Sequence, residues 1–170
     1  MIYVTIGTMH LPFARLIRKM DEIARATDER IVVQTGLDNV LPEHCEHFDF
    51  KAREEVEAIQ REARVIVAHA GIGSVIDALK TRVPLIFVPR LAKFGEHNND
   101  HQLEMAKVMD ERGWGRIVVD IEDLDDACAH PPDPYAAYRP DRDRLLEAVR
   151  ETILKSVAKR FQSPSGTQNA

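Results

Sequence analysis

The amino-acid sequence predicts an α/β fold, a Rossmann-like open parallel sheet with helices on both faces. Three observations predict it. Short β-branched runs alternate with longer segments of helical periodicity, the pattern of successive βαβ units. The run Val65-Ile66-Val67-Ala68 is apolar at consecutive positions, as a strand covered on both faces requires. Glycine-containing loops also stand where strand-like runs give way to helical ones, at Gly7-Thr8 and at His69 to Ser74.

The elements follow in order. Ile2 to Ile6 reads as the first strand. Leu11 to Ala26 carries Leu16, Ile17, Met20 and Ile23 at the three-and-four spacing of an amphipathic helix. Ile31 to Val33 is a second strand, a third lies near Phe48-Asp49-Phe50, and Val56 to Ala63 is helical. Val65 to Ala68 belongs in the middle of the sheet, and a helix from about Gly73 to Lys80 follows it. Pro84 and Pro89 bracket a strand at Leu85 to Val88, since proline is tolerated at strand ends. A helix from about Asn99 to Arg112 and a strand at Arg116 to Val119 complete residues 1–128 as one ligand-binding domain. Residues 129–141 carry four prolines and read as an irregular crossing. Leu145, Val149, Ile153 and Val157 then share one helical stripe, which predicts an amphipathic helix over 142–162 before a flexible tail, 163–170.

At 170 residues the chain fits one domain with a working core. A formal net charge of -5 gives no overall field for nucleic acid, so any polyanion must be held locally. The two cysteines, Cys45 and Cys128, are too few for a disulfide framework and suit a reducing, cytoplasmic setting. The opening MIYVTIG lacks the basic and apolar stretches of a signal peptide. No stretch approaches the roughly 20 apolar residues of a membrane span, so work at a membrane requires another carrier.

Open parallel sheets bind ligands outside the carboxyl ends of their strands. Three loops share that edge: Gly7-Thr8, residues 69 to 74, and Pro89 to Gln102. Gly71 and Gly73 let backbone approach a ligand, and Ser74 begins a helix whose free amides and dipole favour an anion, which makes a phosphate seat. Ser74 is equally a plain N-cap, and the glycines equally make a turn. Asp77, expected in the first turn, is placed to accept from a ribose or simply to favour the helix dipole. Glu96-His97-Asn98-Asn99-Asp100-His101-Gln102 is dense in donors and acceptors, which suits sugar hydroxyls or a solvated loop. His44-Cys45-Glu46-His47 lacks a companion cluster at zinc spacing and reads as solvated loop. Asp123-Leu124-Asp125 mimics a metal-binding DxD but fits a capped helix start with acidic residues in its first turn at least as well. No metal or other cofactor is expected.

Together HAGIGS, Asp77, PLIFVPR at 84–90 and KFGEHNNDHQ at 93–102, with VTIGT at 4–8 opening the domain, resemble the carboxyl-terminal domain of family 28 glycosyltransferases, one half of a GT-B fold. The likeness runs from Ile2 to about Val119. Within the family it is similar to the small catalytic subunits of two-component transferases, such as the eukaryotic dolichol-linked N-acetylglucosaminyltransferase and bacterial exopolysaccharide enzymes. The resemblance implies a UDP-sugar donor whose phosphates meet Gly7, Thr8, Gly71, Gly73 and Ser74, with its ribose on Asp77. It places uracil near Phe50 and the sugar on His97, Asp100, His101 and Gln102, with His69 and His101 as catalytic candidates. It also implies a membrane-associated partner that holds the acceptor, engaged through the final helix. A non-catalytic nucleotide-sugar module is the alternative. Many relatives carry glutamate where this chain has Asp77, and a glycine where Arg82-Val83 precedes Pro84.

Overall fold

The computed structural model describes residues 1–37 and 40–135. The predicted helix over 142–162, the tail 163–170 and the end of the crossing segment lie outside the described residues.

Six strands run parallel in the order β3-β2-β1-β4-β5-β6: β1 (Ile2–Thr5), β2 (Ile31–Gln34), β3 (Glu46–Phe48), β4 (Val65–Ala68), β5 (Leu85–Phe87) and β6 (Arg116–Ile117). The expected Rossmann-like sheet is present. β4 pairs with both β1 and β5 and is buried at every residue, as its unbroken apolar run requires. β1 pairs with β2 on one side and β4 on the other. The chain runs outward from β1 to β2 and β3 and then crosses back to β4 on the other side of β1, which opens a crevice at the carboxyl edge between β1 and β4.

Helices α1 (Ala14–Arg25) and α5 (Leu124–Ala129) cover one face. Leu16, Ile17 and Met20 of α1 and Leu124, Ala127 and Cys128 of α5 join Ile2, Val4, Val33, Val65, Val67 and Ile86 in a single buried cluster. Burying a side chain of this size contributes about 1.5–3 kcal/mol, so this layer supplies much of the stability. Lys19 fastens the two helices, with Nζ 2.9 Å from Glu122 and 2.5 Å from Asp125. The residues of Asp123-Leu124-Asp125 thus form a helix entry that faces a lysine. Helices α2 (Arg53–Glu62) and α3 (Ile72–Thr81) pack together over the opposite face. Helix α4 (His101–Glu111) packs beside β6.

Several boundaries move for physical reasons. α1 starts at Ala14 rather than Leu11, because the carbonyls of Leu11 and Pro12 turn inward to Arg90. α2 starts a turn early, where Glu55 bonds the amide of Ala52 at 3.1 Å. β3 begins at Glu46 and stops at Phe48 instead of reaching Phe50, and Asp49 beyond it accepts from the Thr35 hydroxyl. The solvated-loop reading of His44 to His47 is therefore corrected. Cys45 is buried, Glu46 and His47 are strand residues, and His44 is tied to Asp21 by its amide and its ring. Arg82, in the Arg82-Val83 pair before Pro84, ends α3 in the left-handed region with φ 59°.

Candidate functional site

All six strands point the same way, so the loops after β1, β3, β4 and β5 gather at one edge. There a cleft of about 200 Å³ opens between α2, α3 and the sheet. Gly7, Thr8, Ser74 and Asp77 line it together with Thr5, Gln34, Arg53, Val56, Glu57 and Gln60. Four of the residues predicted to touch the donor are thus brought together.

The start of α3 leaves three backbone amides open. Gly71 is its N-cap and uses its own amide on the His69 carbonyl at 2.8 Å, while its carbonyl receives Val75 at 3.1 Å. Among the described residues nothing accepts from the amides of Ile72, Gly73 and Ser74. Such amides are the groups that bind phosphate at helix starts. A Cβ on Gly73 would meet nothing within 4 Å, so this glycine is not needed by the fold and leaves the approach open. Ile72 is half exposed on the same turn.

His69 explains the other two glycines. Its ring is 7% exposed and wedged so that a Cβ on either Gly7 or Gly71 would collide with it. Gly7 also has φ 76°, where a side chain is strained. Burial first, and the neighbouring Arg90 guanidinium second, push the His69 imidazole down to about 4, so it is neutral at physiological pH. It shapes the loop from beneath and brings no positive charge to it. Gly36, which sequence reading missed, has φ 57°, and a Cβ there would strike the Gly7 carbonyl with Phe50 beside it. Phe50 is half exposed next to this turn but does not line the cleft.

Asp77 sits in the second turn of α3, not the first, because the helix begins at Ile72. Its Oδ1 accepts from Arg53 Nη2 at 3.0 Å and Lys80 Nζ at 2.7 Å.

The loop after β5 is a built structure rather than a solvated run. Arg90 is wholly buried; Nη1 donates to the carbonyls of Leu11, Pro12 and Glu96, and Nη2 to that of Ile6 at 3.0 Å. Its guanidinium stacks 4.6 Å from the Phe13 ring centre, a contact worth about 2 kcal/mol when desolvated. Glu96, 3% exposed, takes Arg15 in a bidentate pair at 3.0 and 2.9 Å and also the Leu91 amide. Gln102 is buried with Oε1 on the Arg90 amide at 3.1 Å. Asp100 caps the turn at Ala92–Phe94 through the Ala92 amide. His97 Nδ1 receives the Asn99 amide, and His101, exposed, opens α4 with its amide on Asn99 Oδ1. None of these four predicted sugar contacts lines the cleft; they stand on the neighbouring loop of the same edge.

A profile of the "Glycosyltransferase family 28 C-terminal domain" matches residues 1–159. The human "UDP-N-acetylglucosamine transferase subunit ALG13" is 28% identical over 123 residues, covering 66% of this chain and 10% of that protein. The chain thus spans about a tenth of the curated relative's length. An NMR structure of ALG13 superposes with TM-score 0.57 at 18% identity, over 85% of this chain and 94% of that one. A crystal structure of the kitacinnamycin glycosyltransferase gives TM-score 0.57 at 21% identity, over 75% of this chain and 34% of that one. The solved structures establish the fold: an open parallel sheet of the GT-B glycosyltransferases.

Proposed function

The chain belongs to the glycosyltransferase family 28 C-terminal domains, and from that premise we propose that it is the donor-binding catalytic subunit of a UDP-sugar hexosyltransferase. The carrying observation is the cleft at the β1/β4 crevice, where the open amides of α3 adjoin Asp77. In this reading the diphosphate rests on the amides of Gly73 and Ser74, with Gly7 and Thr8 across from them. Asp77 takes the ribose, and uracil lies toward Phe50. The sugar extends toward His101 and Gln102, with His97 and Asp100 behind them.

Transfer breaks the bond from the anomeric carbon to the diphosphate oxygen and forms one to the acceptor oxygen, whose proton passes to a base. Charge developing on the departing diphosphate is met by fixed amide dipoles, each hydrogen bond to a charged group being worth about 1.5–3 kcal/mol. Two or three such bonds account for much of the roughly -8 kcal/mol of micromolar binding. No metal is assigned a role. His69 acts through the loop it supports, and His101 is an exposed imidazole on the loop assigned to the sugar.

A second polypeptide holds the acceptor, a lipid-linked saccharide, and supplies the base. Two observations support this. A human relative is named as a subunit, and Leu37, Phe50, Ile72 and Phe94, each at least half exposed, follow four strands on the binding edge. Among the described residues no helix is long and apolar enough to cross a membrane, so in this reading the partner brings the chain to the cytoplasmic membrane face. The predicted final helix is its natural contact.

The test is to titrate the purified chain with UDP and UDP-sugars, then assay transfer with and without a membrane-associated partner. Micromolar UDP binding and transfer only with the partner are expected. Robust transfer by the chain alone overturns the partner requirement. Equal affinity for UDP and every UDP-sugar favours a regulatory module.

A further inference from the structure

We infer that Arg53 and Lys80 are positioning residues, a two-cation clamp that turns the Asp77 carboxylate toward a ribose diol; this rests on the reading of Asp77 as the ribose contact. Arg53 opens α2, while Asp77 and Lys80 lie on α3 across the mouth of the cleft. Both cations bond the same oxygen, Oδ1, at 3.0 and 2.7 Å. Among the described residues none bonds Oδ2. One edge of the carboxylate is therefore saturated and the other is left for a ligand.

Arg53 is itself held, because its Nε donates to Glu57 Oε1 at 3.2 Å and Arg61 anchors the other Glu57 oxygen at 3.2 Å. The chain Arg61, Glu57, Arg53, Asp77, Lys80 spans two helices. Arg53 is also the only cationic side chain among the described residues that line the cleft. The side chains are well exposed, 61% for Arg53 and 41% for Lys80, and exposed pairs contribute little to stability. The clamp's effect therefore falls on orientation and local charge. A vicinal diol offers two O–H donors to the open oxygen. The two cations offset the repulsion that a bare carboxylate, three residues along the helix from Ser74, would exert on a diphosphate.

The experiment is equilibrium titration of the full chain with UDP and with its 2′-deoxy and 3′-deoxy counterparts. The wild type is expected to prefer UDP over at least one of them by about tenfold, the value of one hydrogen bond to a charged group. Asp77→Asn should bring that ratio close to one. Arg53→Gln and Lys80→Gln should each lower it severalfold with unchanged melting temperature, Arg53→Lys should restore most of it, and the double variant should match Asp77→Asn. A ratio that falls in Asp77→Asn but holds in Arg53→Gln and Lys80→Gln overturns the clamp and leaves the ribose reading standing. A wild type that fails to bind UDP, or a ratio untouched by Asp77→Asn, overturns the ribose reading and the clamp with it.

Discussion

His69 should make this fold sensitive to mild acid. The imidazole is held neutral, down from 6.5 to about 4, by burial and by Arg90. An unfolded chain takes up that proton near 6.5, whereas the folded chain resists it until about 4. Protonation therefore favours unfolding. The contribution is whole above pH 6.5 and is lost progressively as the pH falls toward 4. At 1.36 kcal/mol per pH unit the loss from this residue is about 2 kcal/mol between pH 7 and 5, rising to ~3 kcal/mol at pH 4. Urea unfolding of the wild type and His69→Gln across this range measures it, because the two proteins differ only in this side chain. The variant starts less stable and should show a shallower decline, with the curves converging toward low pH. NMR of the ring carbon should show no titration of His69 above pH 5. Parallel curves, or a His69 midpoint near 6.5, would refute the account of a walled-in neutral ring.

Alanine at the three glycines of the proposed phosphate seat should separate fold from binding. Gly7→Ala and Gly71→Ala should each lose roughly 3 kcal/mol of stability, from the collision with His69 and, at Gly7, the positive φ. Gly73→Ala should keep or slightly raise the melting temperature while weakening UDP, since its methyl enters the approach rather than the core. Equal destabilisation at all three contradicts this. Glu96→Ala should cost about 3 kcal/mol, because it strands Arg15, whose side chain is 14% exposed. A change below 1 kcal/mol in denaturant unfolding would mean that the pair is not what holds this loop.

The strands were readable because their burial is written locally. Val65 to Ala68 is apolar at every position and lies at the centre of the sheet, and Leu85 to Val88 sits between its two prolines. The turn of residues 69 to 74 was readable for the same reason, as a strand end, two glycines and a helix start occur within six residues. The loop after β5 was not. Glu96, His97, Asp100 and Gln102 look alike in sequence, yet Glu96 and Gln102 are buried and His97 and Asp100 are not. What separates them is Arg15, 81 residues away, and Arg90, whose carbonyl partners lie up to 84 residues distant. No local pattern encodes such pairings. The contact of Arg53 was hidden likewise, because its partner, Asp77, lies on another helix.

The bonds from Arg90 have one more consequence, which concerns the order in which the molecule is made. The carbonyls of Ile6, Leu11 and Pro12 emerge from a ribosome long before the guanidinium that gathers them, and Gln102, which secures the Arg90 amide, emerges later still. The first three strands can associate early, since their contacts are close in the chain. The loops at the carboxyl edge have to wait until synthesis has passed Gln102, so a nascent or truncated chain that ends earlier has much of a sheet and no finished candidate site.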